Sequence, residues 1–199
     1  MSNSDDSNMS GKIIVVSAPS GCGKSTIINA ILDSGEPELR FSVSATNRRP
    51  RPGEVDGVNY HFLTTEQFHE AIVAGDFVEW EEVYPGRFYG TLKSEIDRII
   101  GKGGNLILDI DVKGALNVKA LYGGRVRTIF IMPPSIDELR RRLSSRGTDS
   151  PETIDERVGK AEYEMSFADK FDCRIINDIL EPAIDQTKSE IVDFIKKIN

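Results

Sequence analysis

The chain has 199 residues, a formal net charge of −7, 39% hydrophobic and 29% charged residues. Such a length and composition fit one globular domain with room for an inserted subdomain, and the acidic balance argues against a general nucleic-acid binder. No apolar run reaches the roughly 18–20 residues that cross a bilayer, and the N-terminus has no signal-peptide pattern. Two cysteines, Cys22 and Cys173, cannot build a disulfide framework and fit a reducing cytosol. The two histidines, His61 and His69, lack a further ligand pattern, so a histidine-built zinc site is not expected.

In chain order, Met1–Ser10 is Ser/Asn/Asp-rich and reads as a disordered tail. Lys12–Ser17 is a continuous β-branched run, the pattern of a strand buried on both faces of a parallel sheet. A Gly-rich turn and a helix with Ile27, Ile28, Ile31 and Leu32 follow, ended by Gly35 and Pro37. Asn105–Asp111 predicts a second buried strand, followed by a helix over Val112–Leu121, and Thr128–Met132 predicts a third. Ser135 and Glu138 have the spacing of a capping box. Ser150-Pro151 opens another helix, with the stripe Ile154, Val158, Ala161, Met165 and Ala168. Arg174–Asn177 predicts a fourth strand, and a last helix carries Ile184, Ile191, Phe194, Ile195 and Ile198. This alternation predicts an α/β fold with a parallel sheet flanked by helices, and the loop motif taken next makes it one of the P-loop NTPase type. Arg40–Gly90 breaks the rhythm with short extended runs (Phe41–Thr46, Val58–Leu63, Phe77–Tyr84) and one helix near Thr65–Ala74. It reads as an inserted α+β subdomain, mostly antiparallel.

Ala18-Pro19-Ser20-Gly21-Cys22-Gly23-Lys24-Ser25 stands between the first strand and first helix. It matches G-x-x-x-x-G-K-[S/T] except that Ala18 replaces the first Gly. Inward backbone N–H groups of such a loop form an anion nest, and the following helix offers its positive end. Gly21 and Gly23 allow the turn, Lys24 brings a point charge to β/γ-phosphates, and Ser25 offers an oxygen to Mg²⁺. The plainer alternative is a Gly-rich turn that happens to contain Lys-Ser; the strand–loop–helix context favours phosphate binding. Cys22 is read as loop filler rather than as a nucleophile or redox switch, because no His–acid arrangement supports it.

Seven of the 25 cations fall in two places: Arg48, Arg49 and Arg51, then Arg140, Arg141, Arg142 and Arg146. Arg forks match phosphate geometry, so such clusters in an acidic chain suggest anion sites. Arg140 and Arg141 fit a solvated helix face better.

Several blocks together resemble guanylate kinase: the P-loop, Phe41-Ser-Val-Ser-Ala-Thr46, Arg48-x-Pro-Arg-x-Gly-Glu54, Tyr60, Phe77-Val-Glu-Trp80, Tyr89-Gly-Thr91, Leu108-Asp-Ile-Asp111 and Arg146-Gly-Thr148. The resemblance runs from about Lys12 to the C-terminus. It implies ATP-dependent phosphorylation of GMP to GDP with Mg²⁺, by direct in-line transfer. By that resemblance the GMP phosphate is held at Arg48, Arg51, Tyr60 and Tyr89, with Arg49 facing solvent. The guanine base is read at Ser44, Glu79 and Thr91, with Gly90 between the last hydroxyl and Tyr89. Guanine offers N1–H and N2 amine donors side by side, and one carboxylate can accept both; adenine has no such pair, so Glu79 would be left unpaired.

The resemblance also gives ATP contacts from Ala18 through Gly23, Lys24, Ser25 and Thr26, and one at Asn177 on the adenine side. Asp109 and Asp111 end a strand where open α/β sheets bind ligands. Alternation puts them on one face; the resemblance puts Asp109 on the metal side with Ser25 and Asp111 toward GMP, and the plainer reading is helix capping. The second Arg cluster matches a mobile lid, and Lys24, Arg142, Arg146 and Arg157 are expected to stabilise charge on the transferring group. The implied layout is a core (11–40, 92–134, 168–199), a GMP-binding subdomain (41–91) and a lid (about 135–167). Partners are expected to be small nucleotides, not nucleic-acid polymers or membranes, with a cytoplasmic monomer or homodimer. Two alternatives remain: a kinase for another nucleoside monophosphate, and a non-catalytic phosphopeptide-binding module of the same fold.

Overall fold

The computed structural model describes residues 11–145 and 149–197. The expected tail at residues 1–10, together with Arg146 and Ile198, lies outside the described residues. In chain order the elements are β1 (Ile13–Ser17), α1 (Lys24–Asp33), β2 (Arg40–Phe41), β3 (Ala45–Thr46), β4 (His61–Phe62), α2 (Thr65–Ala74), β5 (Phe77–Tyr84), β6 (Arg87–Leu92), α3 (Lys93–Ile100), β7 (Leu106–Asp109), α4 (Val112–Tyr122), β8 (Val126–Met132), α5 (Ile136–Ser145), α6 (Pro151–Met165), β9 (Cys173–Ile176) and α7 (Leu180–Lys196). A five-stranded sheet has the order β2-β7-β1-β8-β9. The β1–β8 and β8–β9 pairs are parallel, as the apolar runs predict; β2 also pairs in parallel with β7, although Arg40–Phe41 falls in the stretch expected to be a mostly antiparallel insertion. The described residues divide into two compact units, Ile13–Leu39 with Leu108 to residue 197, and residues 11–12 with Arg40–Ile107.

In the first unit every residue of β1 is buried, so its β-branched side chains pack on both faces. α1 buries Ile27, Ile28 and Ile31 and stops at Ser34, ahead of a left-handed Gly35. α6 starts as its sequence predicts: Ser150 caps it by accepting from the Thr153 N–H, and Pro151 fills the first turn. Its apolar stripe is shorter than expected, because the helix ends at Met165 and Ala168 sits in a separate 3-10 turn. α7 buries Ala183, Thr187 and Ile191, and of the expected stripe Ile191 is buried while Ile184, Phe194 and Ile195 are half-buried. The Ser135 capping box is half made. Ser135 Oγ accepts from Glu138 N at 3.1 Å, but the Glu138 carboxylate is taken by Arg141 and Arg142.

In the second unit a four-stranded sheet has the order β4-β3-β6-β5. It is mixed: β3–β6 and β5–β6 are antiparallel, while β3–β4 is parallel. α2 covers it, held at its start by a complete Thr64/Gln67 capping box and at its end by left-handed Gly75. Phe68 on α2 is fully buried, with its ring centroid 4.5 Å from Phe77 and 5.5 Å from Phe88. Truncating such a ring costs about 3–5 kcal/mol. β6 and α3 are elements the sequence patterns left unassigned. α3 buries Glu95, Ile96, Ile99 and Ile100, and so shows helical spacing only in its second half.

Candidate active site

β1 delivers the chain into the loop 18–23, and α1 begins at Lys24. Gly21 and Gly23 both have positive φ, of 95° and 83°. A Cβ on Gly23 would also lie 2.6 Å from Asn177 Nδ2, so this position needs glycine twice over. Among the described residues no non-glycine has positive φ, so Ala18 stands in for the first glycine of the motif without strain. Cys22 is 1% exposed, and its thiol is pushed up to about 12, chiefly by burial. It is therefore protonated and inert at neutral pH, as the loop-filler reading predicts. Ser25 and Thr26 are exposed on the first turn of α1.

Lys24 Nζ is ion-paired with Asp109 at the end of β7, each side chain about one-fifth exposed. The strand stops there, so the expected alternation does not carry on to Asp111. Asp111 is the N-cap of α4 and accepts from Gly114 N at 2.7 Å. The two aspartates thus serve different partners, which is the capping alternative for Asp111. Among the described residues no cluster of three His, Cys, Asp or Glu forms a metal-binding group. A hydroxyl at Ser25 and a carboxylate at Asp109 are nonetheless hard oxygen donors of the kind that suits Mg²⁺, an ion that keeps several waters and is completed by substrate phosphates.

Two of the expected lid arginines meet this loop region. Arg157 on α6 donates from Nη2 to Ser20 Oγ at 2.7 Å and is ion-paired through Nη1 with Asp149. Arg142 on α5 donates to Glu138 Oε1 at 2.7 Å, to the Asn177 carbonyl at 2.7 Å and to the Asp178 carbonyl at 3.1 Å. Arg141 is largely exposed and pairs with Glu138; Arg140 pairs with Asp155 on the surface. Arg146 lies outside the described residues. Asn177 is buried, and its side-chain amide donates to the Cys22 carbonyl at 2.8 Å. Its side chain therefore braces the loop.

The second unit gathers the other set. Arg48 forks onto Glu54, with Nη1 and Nη2 at 2.7 and 2.8 Å from the two carboxylate oxygens. Its guanidinium carbon lies 5.2 Å from the centroid of Tyr60, and Tyr60 meets Tyr89 edge-on at 5.9 Å. Glu54 accepts from Arg51 N at 2.6 Å as well, and these bonds hold its carboxyl at about 2. Arg49 and Arg51 are both exposed. Glu79 and Thr91 are direct cross-strand partners of β5 and β6, so their side chains share a face. Thr91 Oγ1 donates to Glu79 Oε1 at 2.7 Å and fixes the carboxylate. One step along, opposite Trp80, Gly90 lets the strands close: a Cβ there would meet the Glu79 carbonyl at 2.7 Å and the Trp80 Cβ at 2.9 Å. Ser44, half-buried, receives His61 N on its carbonyl at 2.9 Å.

The family model of guanylate kinase matches residues 10–194. The chain belongs to the guanylate kinase family. It is 52% identical over 186 residues to the guanylate kinase of Porphyromonas gingivalis, covering 94% of this chain and 99% of that one. It is 52% identical over 189 residues to the guanylate kinase of Bacteroides thetaiotaomicron, covering 95% and 92%. A crystal structure of guanylate kinase from Anaplasma phagocytophilum superposes with a TM-score of 0.69 at 32% identity, covering 95% of this chain and 88% of that one. Sequence reasoning missed the carboxylates that hold this guanylate kinase family member's arginines. Glu138 could have been found, since it precedes Arg141 and Arg142 by three and four residues on one helix. Glu54 and Asp149 act across loops, where spacing carries no such signal.

Proposed function

We propose that this chain is an ATP-dependent GMP kinase, catalysing ATP + GMP = ADP + GDP, with the two sets of residues above serving donor and acceptor. The observation that carries the choice of acceptor is the Thr91–Glu79 hydrogen bond. It fixes the carboxylate in orientation, and a carboxylate is the acceptor that matches guanine N1–H and N2–H₂. Ser44 adds a hydroxyl to that edge. Arg48, with Tyr60 and Tyr89 around it and Arg51 nearby in sequence, receives the GMP phosphate.

On the donor side, backbone N–H groups of residues 18–23 and the N-terminus of α1 receive the ATP phosphates. Lys24 exchanges Asp109 for phosphate oxygens. Mg²⁺, when bound by Ser25 and, through water, by Asp109, supplies charge neutralisation to the phosphates. The GMP phosphate oxygen is already ionised, so the chain needs no general base. It attacks the γ-phosphorus in line, the bond to the β-phosphate oxygen breaks, and ADP leaves with those electrons. Lys24, Arg142, Arg157 and Arg146 balance charge on the transferring group. Residues 41–91 form the GMP-binding subdomain, and about 135–167 form a lid that excludes water. The protein acts in the cytoplasm in purine nucleotide metabolism, as a monomer or homodimer.

The test is ADP release with ATP against GMP, dGMP, AMP, UMP and CMP, for wild type and Glu79→Gln. Wild type should prefer GMP over AMP strongly, and Glu79→Gln should lose roughly 10- to 100-fold in kcat/KM for GMP, the worth of hydrogen bonds to a charged group. Equal turnover of AMP and GMP by wild type refutes the reading.

A further inference from the structure

Glu95 is a buried carboxylate with no part in the mechanism above. It sits in the first turn of α3 and is 3% exposed. Burying a carboxylate is costly unless its charge and lone pairs are met. Arg98 meets it with a fork, Nε and Nη2 each 2.9 Å from a carboxylate oxygen. That fork would suffice as a solvated helix pair, because Arg98 is half exposed. Two further partners come from other segments. His61 Nε2 lies 3.6 Å from Oε2, and the Val43 backbone bears on the carboxylate in the direction that favours its charge.

These partners close a ring. Val43 precedes Ser44; the Ser44 carbonyl accepts from His61 N at 2.9 Å; the His61 side chain returns to Glu95. Each segment in the ring carries a residue assigned above to GMP. Ser44 follows Val43, Tyr60 precedes His61, and β6 with Tyr89 and Thr91 runs directly into α3.

We propose that Glu95 is a positioning residue for the GMP site, joining the strand ends that bear Ser44, Tyr60 and Thr91 so that base and phosphate contacts keep one register. The proposal rests on the assignment of Ser44 and Tyr60 to GMP. A purely structural role would lower stability and leave the two substrates' KM values in step. A positioning role raises KM for GMP alone.

The experiment is steady-state kinetics with ATP and GMP varied separately, plus thermal unfolding, for Glu95→Ala, Glu95→Gln, Arg98→Ala, His61→Ala and Ser44→Ala. Glu95→Ala should raise KM for GMP about 10- to 100-fold, as loss of supporting contacts behind a binding group does, with KM for ATP within about twofold. Glu95→Gln keeps an acceptor oxygen and should recover most of that loss. Arg98→Ala should lower Tm with KM for GMP near wild type. A folded Glu95→Ala with unchanged KM for GMP, or with both KM values raised equally, overturns the proposal. If Glu95→Ala does not fold, His61→Ala decides by the same criterion. An unchanged KM for GMP in Ser44→Ala overturns the site assignment and this proposal with it; a raised one beside an unaffected Glu95→Ala overturns this proposal alone.

Discussion

Lys24 on α1 is ion-paired with Asp109 at the end of β7. The loop's point charge is thus held by a carboxylate when no phosphate is there. The same carboxylate is the one proposed to hold Mg²⁺ through water, so it has two tasks in sequence: first a resting partner for Lys24, then a metal-side acceptor.

Asp109→Asn separates those tasks. It removes the charge but keeps an acceptor oxygen. The Mg²⁺ concentration giving half-maximal rate should rise about 10- to 100-fold, the usual effect of losing an outer-sphere partner. Initial rates against MgCl₂ at fixed ATP and GMP read this directly. A lower kcat with the Mg²⁺ profile unchanged would confine Asp109 to Lys24.

Asn177 holds the loop at the Cys22 carbonyl. Asn177→Ala leaves that buried acceptor unmet, at a cost of about 1–3 kcal/mol. KM for ATP should rise on the order of tenfold with KM for GMP unaltered. The loss should be the same with ITP as donor, since the side chain braces the loop. A loss specific to ATP would return Asn177 to the purine.

The Arg48–Glu54 fork has a defined pH window. A glutamate titrates near 4.3 in an unfolded chain, whereas the bonds from Arg48 and the Arg51 N–H hold Glu54 at about 2. A carboxyl lowered on folding contributes its stability above the unfolded value and loses it as pH falls through the folded one. The Tm gap between wild type and Glu54→Gln should therefore be constant above about pH 5 and close between about pH 4 and pH 2. A gap that persists at pH 2 would show that packing, not charge, separates the two proteins.

The fold was legible where burial was two-sided or a cap was explicit. β1 is an unbroken apolar run, and α6 opens on Ser150-Pro151. α3 was not legible, because its first half is Lys93, Ser94 and a glutamate whose burial depends on partners from Val43 and His61. The parallel β3–β4 pair was missed for a similar reason: each strand has two residues, too few to show a period. In the site, the cations were visible from their clustering, but their acceptors were not. Glu54 forks onto Arg48 from six residues away with no helix between them. Asn177 could be picked out but not assigned, since its contact with Cys22 spans 155 residues.

Four of the cations proposed for phosphate are already matched with an anion: Lys24 with Asp109, Arg48 with Glu54, Arg142 with Glu138, and Arg157 with Asp149. Nucleotide capture is accordingly a trade, carboxylate for phosphate, at each of these positions. At these four positions the charge is met at close range, so they add little to long-range steering, which salt would screen. A passing polyanion meets closed pairs and must break each one. A compact phosphate of higher charge density, delivered where a loop of N–H groups or a fixed carboxylate also recognises it, is the partner able to complete the exchange.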